Sequence, residues 1–415
     1  MSATILAACQ RQGGGGGSLG QGLKDPAARA VYAARNGQPA WGGDRARRLI
    51  RIIAGAPAHG LNPAAFDLHG PAGASPDETL TLTALRYAGA LAEGFVDPHK
   101  VETVFTLKRN QPDLAAGLVK ALDGDLEGWF AGLAPGDDAY KAISAAYLAA
   151  VGKGAASVAS DAGVAASPAA ANQARLLAAN LERRRWLART PPDHRIDVNI
   201  ATCMLAYRRP GQADSIARVV AGGPDHQTPC IEASFDGLVV NPPWRVPKGI
   251  AAKEILPKGA GYMAREDMHV VEGGMVEQRP GPKSALGQVK FDLKDPYDIY
   301  LHDTPAKAWF ARPERHRSHG CIRVENAVAF ARAIAAETGK ADAFDQALAT
   351  KDTHAVALGQ SIPVRLFYHT AGLDPSGQLL VAKDVYGSDD RLAAALGLGA
   401  AQATGGSDDD GDTGP

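Results

Sequence analysis

Two short stretches of the chain hold the residue types that acyl transfer through a thiol requires. Residues 300–305 contain His302, and residues 318–323 contain Cys321. A cysteine thiolate attacks carbonyl carbons, and a nearby imidazole can take up the thiol proton. Gly320 stands directly before the cysteine, where a residue without Cβ lets the backbone approach a reacting carbonyl. The pattern predicts Cys321 as a nucleophile and His302 as its base.

His302 and Cys321 lie 19 positions apart (321 − 302), which is too far for one helix face, so tertiary folding must bring them together. Residues 298–301 predict a short strand that leads into His302. We expect Cys321 to follow a turn that runs into a helix starting near Glu325. The positive end of that helix would favour the thiolate, and the backbone N–H groups of residues 319–321 would form an oxyanion hole.

The residues around the cysteine and the distant histidine form a wider motif. It consists of His302 and the segment 318–323, which reads Ser-His-Gly-Cys-Ile-Arg. This motif resembles the signature of the L,D-transpeptidases, the YkuD-domain enzymes that cross-link peptidoglycan through a catalytic cysteine. The similarity is to the long, multidomain branch with an N-terminal helical scaffold domain, and it covers residues 172–386 strongly and 25–101 more loosely. Further matching segments are 180–187, 198–200, 240–244, 280–282, 285–287 and 302–305.

The resemblance implies a role for each residue of the motif. It makes His302, and not the nearer His319, the proton donor and acceptor for Cys321, and it leaves His319 as a pocket wall or an orienter. Asp303 is expected to orient His302, although the family usually uses a backbone carbonyl there. Arg323 is expected to hold a substrate carboxylate through two hydrogen bonds. The implied oxyanion and substrate-binding residues are Tyr300, Asp303, Ser318, His319, Gly320 and Arg323.

The expected fold class is α+β. A β-rich, mixed-sheet, YkuD-like catalytic domain with a cap insertion would follow an α-helical scaffold domain. Long members of the family commonly carry a peptidoglycan-binding module between these two domains, where this chain has only an Ala/Gly/Ser-rich run. The predicted divisions are a leader and Gly-rich tether (1–24), the scaffold domain (25–151), a linker (152–171), the catalytic domain (172–400, with the cap at about 243–283) and a disordered tail (401–415).

Hydrophobic periodicity and turn residues predict the main secondary structure. The expected helices are 27–36, 44–54, 79–93, 140–151, 176–187 and 327–337. The expected strands are 198–207, 216–220, 238–241, 289–293, 299–301 and 362–370.

Composition excludes some classes of protein. The chain has 415 residues, of which 45% are hydrophobic, so it can bury a sizeable core. Its 44 basic and 45 acidic residues give a net charge of −1, which offers no electrostatic basis for binding nucleic acid. No window approaches the roughly 18 uninterrupted apolar residues of a membrane span.

The other three cysteines leave alternatives open. Residues 6–9 resemble a bacterial lipoprotein cleavage box, so Cys9 is either a lipidated residue that anchors the chain or part of a small-residue leader. Cys203 and Cys230 lie in β-like segments and are either two buried thiols or one disulfide. We favour buried thiols because no disulfide framework is visible.

The resemblance implies a peptidoglycan L,D-transpeptidase in the periplasm or cell envelope of a Gram-negative bacterium, with no metal or organic cofactor. Its partners would be peptidoglycan stem peptides and an amine acceptor on a second stem or an outer-membrane protein; with water as acceptor it would be an L,D-carboxypeptidase. Two other readings are a non-catalytic wall-binding protein and a zinc-dependent hydrolase. The zinc ligands would be His302, His316, His319 and Cys321, although sequence-local zinc spacings are absent.

Overall fold

The computed structural model describes residues 19–66, 70–159 and 168–399. Within these residues, a helical region is followed by a β-rich region, which confirms the α+β prediction. Cys9 and the tail 401–415 lie outside the described residues. No helix among the described residues has the length and apolar content that a membrane span requires.

The described part of the N-terminal region contains six α-helices. They are α1 (Pro26–Ala34), α2 (Arg45–Ala54), α3 (Pro76–Glu93), α4 (Leu114–Leu122), α5 (Leu126–Leu133) and α6 (Asp138–Ala159). Local sequence defines where they begin: the Asp25 carboxylate accepts a hydrogen bond from the Ala28 N–H at the start of α1, and Ser75 and Glu78 form a capping box at the start of α3. These helices pack around a shared apolar core that continues into the β-rich region.

A seventh helix, α7 (Pro168–Trp186), joins the two regions. It contacts α3 and α6 as well as the C-terminal helix of the β-rich region. Its Glu182–Arg185 ion pair is fully buried, and the Arg185 guanidinium also donates to the His59 carbonyl oxygen at 2.6 Å. Buried charges are tolerated only when they are paired, so this helix depends on these polar partners.

The predicted linker 152–171 is partly helical. Helix α6 continues to Ala159 and α7 begins at Pro168, while residues 160–167 lie outside the described part. Both helices are therefore longer than predicted. The Ala-rich composition suggested a linker, but alanine has the highest helix propensity, and proline suits the first position of a helix.

The β-rich region is built on a nine-stranded mixed sheet. The strands of the chain are β1 (Arg195–Asn199), β2 (Met204–Arg208), β3 (Ser215–Gly222), β4 (Ile231–Val240), β5 (Trp244–Arg245), β6 (Met268–Val270), β7 (Val276–Gln278), β8 (Val289–Phe291), β9 (Leu301–His302), β10 (His316–Ser318), β11 (Ile322–Val324), β12 (His354–Phe367), β13 (Ala371–Leu373) and β14 (Leu379–Val381). The large sheet has the order β10-β3-β11-β9-β8-β4-β12-β1-β2. Because β2 also pairs with β3, every strand of this sheet except β10 belongs to a closed ring.

The single strand predicted for 198–207 is two strands. The chain turns between β1 and β2, where Cys203 has a positive φ of 51°, and β2 then pairs antiparallel with β1. Most residues of the segment 198–207 are apolar on both sides of this turn, which hid the turn in the sequence. Cys203 and Cys230 are both buried free thiols, as favoured from the sequence.

The cap insertion is a small unit with its own sheet and core. Strands β5, β7 and β6 form a separate three-stranded sheet. A helical stretch precedes β6 and contains α8 (Lys248–Ile250), a π-helical segment (Ala251–Ile255) and α9 (Gly259–Arg265). Its buried residues include Trp244, and Tyr300 of the large sheet packs against them. The remaining helices are α10 (Ala327–Glu337), α11 (Ala341–Ala349) and α12 (Ser388–Ala395).

Candidate active site

Strands β9 and β11 bring the predicted nucleophile and base to one face of the sheet. They pair in parallel, with Ile322 opposite Leu301 and Arg323 opposite His302. Side chains alternate between the two faces of a strand, so the pair Leu301 and Ile322 points into the core. Cys321 therefore shares the other face with His302 and lies diagonally across from it.

The turn that carries Cys321 differs from the prediction. Cys321 leads into strand β11, and the next helix, α10, begins only at Ala327. The helix expected near Glu325 is thus α10, and the unpredicted strand β11 separates it from Cys321. Gly320 has a φ of 117°, a conformation that residues with a side chain rarely adopt, so this turn depends on a glycine.

Ser318 holds the turn closed from inside. Its hydroxyl donates to the Cys321 carbonyl oxygen at 2.6 Å and accepts from the Gly320 N–H at 3.2 Å. The Thr228 hydroxyl donates to the Gly320 carbonyl oxygen at 2.7 Å. The Gly320 N–H thus points at Ser318, and its part in an oxyanion hole stays a prediction.

The Cys321 thiol is buried, with 7% of the residue exposed. Burial raises the pKa of this thiol to about 11, whereas hydrogen bonds from Tyr300 and the positive charge of Lys290 act to lower it. The thiol donates to the Asp298 carbonyl oxygen at 3.7 Å. At neutral pH the Cys321 thiol is therefore mostly protonated, whereas the sequence predicted a thiolate near a helix end.

His302 is held in one tautomer by the backbone. Its Nδ1 lies 2.5 Å from the carbonyl oxygen of Asp303, and a carbonyl can only accept, so Nδ1 carries the proton and Nε2 is the basic nitrogen. The Asp303 carboxylate instead accepts from the Gln288 N–H at 3.0 Å and pairs with Lys307. The orienting group is the Asp303 carbonyl and not its side chain.

Two neighbours on this face complete the surroundings of the pair. Tyr300 lies beside both predicted catalytic residues, because its hydroxyl hydrogen-bonds the Cys321 thiol and its ring centroid is 5.6 Å from that of His302. Arg323 is 1% exposed. It lies in β11, directly opposite His302 in the pairing with β9. Its binding to a substrate carboxylate stays a prediction.

His319 faces the cap. Its Nε2 is 2.8 Å from a carboxylate oxygen of Glu254 in the π-helical segment, and its ring is tilted against that of His226, with 4.5 Å between centroids. Its role as a pocket wall stays a prediction.

The four ligands of the zinc-hydrolase reading occupy different places. His302 and Cys321 lie on the β9–β11 face, and His319 contacts Glu254. His316 is buried and contacts the Glu314 carboxylate at 2.5 Å and the Cys203 sulfur at 3.5 Å. The structure therefore does not gather these four side chains into one zinc site.

Some residues of the site were not found from the sequence. Asp298, which presents its carbonyl to the thiol, has a positive φ of 56°, and the run Asp-Pro-Tyr-Asp at 295–298 was the available sign of a turn that aspartate tolerates. Thr228, His226 and Glu254 come from distant segments. No local motif marks them.

Comparisons with known proteins agree with this architecture. The family model for the L,D-transpeptidase catalytic domain, YkuD, matches residues 193–344. The model for the Scaffold domain matches residues 26–146.

A relative and two solved structures are similar over part of their lengths. A Haemophilus influenzae protein named "Putative L,D-transpeptidase" is 30% identical over 240 residues, which are 52% of this chain and 48% of that protein. The chain thus spans about half the length of this curated relative. The carbamoyl enzyme of Ldtfm with avibactam gives a TM-score of 0.24 at 13% identity, over 44% of this chain and 52% of that one.

A cysteine-to-serine mutant of an Enterococcus faecium L,D-transpeptidase gives a TM-score of 0.20 at 14% identity, over 44% of this chain and 53% of that one. Residues 193–344 are an L,D-transpeptidase catalytic domain of the YkuD family, preceded in the same chain by a Scaffold domain.

Proposed function

We propose that the chain is a peptidoglycan L,D-transpeptidase that works through a thioester on Cys321. The observation that carries the proposal is the parallel pairing of β9 and β11. His302 lies in β9, Cys321 directly precedes β11, and the Asp303 carbonyl leaves Nε2 as the basic nitrogen of His302. The proposed donor is a tetrapeptide stem, and the site would lie in the cell envelope.

The first half of the reaction forms the thioester. His302 Nε2 takes the proton of the Cys321 thiol as the sulfur attacks the carbonyl carbon of the third residue of the stem. The bond to the terminal D-alanine then breaks, and the protonated imidazole gives its proton to the departing amine. A thiol with a pKa of about 11 requires such a base, because little thiolate exists at neutral pH.

The negative charge on the attacked carbonyl oxygen needs donors close to the sulfur. The Tyr300 hydroxyl is one, since it already reaches the Cys321 thiol. The Gly320 N–H is turned toward Ser318. We therefore assign Tyr300 the larger share of this stabilisation.

The second half transfers the acyl group. An amine attacks the thioester, His302 Nε2 takes its proton, and the sulfur leaves as a thiolate that recovers the proton from the imidazolium. The acceptor would be the amine of a second stem or of an outer-membrane protein. Water in its place would give the carboxypeptidase reaction.

Product analysis tests the proposal. The full chain is incubated with purified tetrapeptide muropeptides, and the products are separated and weighed by mass spectrometry. We expect cross-linked dimers and free D-alanine from the wild type, neither from Cys321→Ala, and no loss of activity with a chelator. Activity that survives in Cys321→Ala, or that a chelator abolishes, contradicts the mechanism.

A further inference from the structure

Three side chains from separate parts of the chain converge beside the turn that carries Cys321. His319 belongs to this turn, Glu254 lies in the cap, and His226 lies in the connection between β3 and β4. One ligand atom from each lies within 4.8 Å of the other two. Within residues 19–66, 70–159 and 168–399, no other group of three or more histidine, cysteine or acidic side chains has ligand atoms close enough together to hold a metal ion.

We propose that His226, Glu254 and His319 form a zinc site that fastens the cap to the Cys321 turn. Two imidazoles and one carboxylate are a common protein ligand set for Zn²⁺, with a fourth position left for water. Tetrahedral ligands about 2.0–2.1 Å from zinc lie about 3.3 Å from one another. His319 Nε2 lies 2.8 Å from a Glu254 carboxylate oxygen, and the ligand atoms of the group all lie within 4.8 Å of one another. The spacing that zinc requires lies between these two values.

Hydrogen bonds join the two segments that carry His226 and His319. The Thr228 hydroxyl donates to the Gly320 carbonyl oxygen at 2.7 Å, and the Gly223 N–H donates to the Ser318 carbonyl oxygen at 2.9 Å. These bonds tie the β3–β4 connection, which carries His226, to the turn that carries His319. Since only Glu254 comes from the cap, metal binding acts on the position of the cap.

The exposure of the ligands suits a site that fills from solvent. His226 is exposed, whereas Glu254 and His319 are half-buried. An ion pair between His319 and Glu254 does not by itself explain why the His226 ring lies beside the His319 ring, with 4.5 Å between their centroids.

The site would control access to the nucleophile. A metal that needs all three ligands binds only those conformations in which the cap lies against the turn, and so it stabilises them. Cys321 is already 7% exposed with the cap in this position. Zinc would therefore slow the approach of reagents and substrates to the thiol, without taking part in acyl transfer.

Binding is tested on a chain that cannot use the thiol as a ligand. Chelator-treated Cys321→Ser protein is titrated with ZnCl₂ by calorimetry, and the zinc environment is read by X-ray absorption. We expect one zinc ion bound by nitrogen and oxygen, with affinity reduced at least about tenfold by His226→Ala or Glu254→Gln. His269→Ala is the control, because His269 faces Glu277 at 3.9 Å in the same cap, outside the group.

No zinc binding, or binding that both variants leave unchanged, overturns the site. This result is independent of transpeptidation, because the Cys321→Ser chain lacks the nucleophile. Thus the zinc site and the proposed function can fail separately.

The proposed effect of zinc on access to Cys321, here called the clamp, is tested on the wild-type thiol. Alkylation of Cys321 by iodoacetamide is followed by peptide mass spectrometry with and without zinc. We expect zinc to slow alkylation in the wild type and in His269→Ala but not in His226→Ala. Equal slowing in His226→Ala means that zinc binds the thiol directly and overturns the clamp.

Discussion

At the scale of single residues, the site pairs a buried thiol with an imidazole of defined tautomer. Burial raises the pKa of Cys321 to about 11, and the Asp303 carbonyl fixes the proton on Nδ1 of His302. In the proposed mechanism the thiolate therefore forms during the attack and is not stored as an ion pair with His302.

The alkylation rate of Cys321 should rise with pH without a plateau at neutrality. Because the protonated thiol dominates below a pKa of about 11, the thiolate fraction grows about tenfold per pH unit between pH 7 and 10. Tyr300→Phe should slow alkylation at each pH, since the hydrogen bond it removes lowers the thiol pKa. Tyr297→Phe, at an exposed neighbour, is the control. A plateau near pH 7 would mean a stored thiolate–imidazolium pair.

His302→Asn should reduce kcat/KM by about 10²–10⁴-fold, because the thiol loses its general base. His354→Asn changes an exposed histidine of β12 and should retain wild-type activity. Muropeptide turnover with both variants measures the difference. If His302→Asn retains full activity, another group removes the proton.

At the scale of elements, the cysteine motif could be predicted but its setting could not. The spacing of His302 and Cys321 identified the pair, and the helix predicted at 327–337 is α10, whereas strand β11 between Cys321 and that helix was not predicted. Short segments of three residues take their structure from the strands beside them, and those partners are distant in sequence. The same limit hid Thr228 and Asp298, which act through hydroxyl and carbonyl groups that no motif marks.

The turn before β11 should depend on Gly320. An alanine there would meet its nearest neighbours at 3.8–3.9 Å, an ordinary contact distance, but would have to adopt a φ of 117°. We expect Gly320→Ala to lower the free energy of unfolding by roughly 1–3 kcal/mol through backbone strain. Denaturant unfolding measures the loss.

Gly223→Ala is the matched control for this turn. Gly223 is hydrogen-bonded to Ser318 and an alanine Cβ there would lie 3.5 Å from its nearest neighbour without a positive φ. We expect little change in unfolding. An equal loss in both variants would assign the effect to crowding and not to the backbone conformation.

At the scale of the whole molecule, α7 makes the helical and β-rich regions depend on one another. It contacts both, and its charged residues Arg183 and Arg185 are buried with their partners. From the sequence, the α+β class and the order of the regions could be predicted, because apolar periodicity changes from helical to alternating along the chain. The closed ring of strands could not, because the β2–β3 and β1–β12 pairings are not encoded locally.

Glu182→Ala should destabilise the whole chain. It leaves Arg185 fully buried without its carboxylate partner, and loss of one member of a buried ion pair costs about 3–5 kcal/mol. Thermal unfolding should show a single transition at lower temperature. Arg332→Ala breaks the exposed pair with Asp345 and should leave the melting temperature unchanged. Two separate transitions in Glu182→Ala would show that the regions unfold independently.

The most direct test of the proposed mechanism is the mass of the enzyme after it meets a tetrapeptide stem without an acceptor amine. The mechanism predicts an adduct on the Cys321 peptide that equals the stem minus D-alanine, absent from Cys321→Ala and strongly slowed in His302→Asn. Release of D-alanine by Cys321→Ala, or an adduct on any other residue of the wild type, would contradict it.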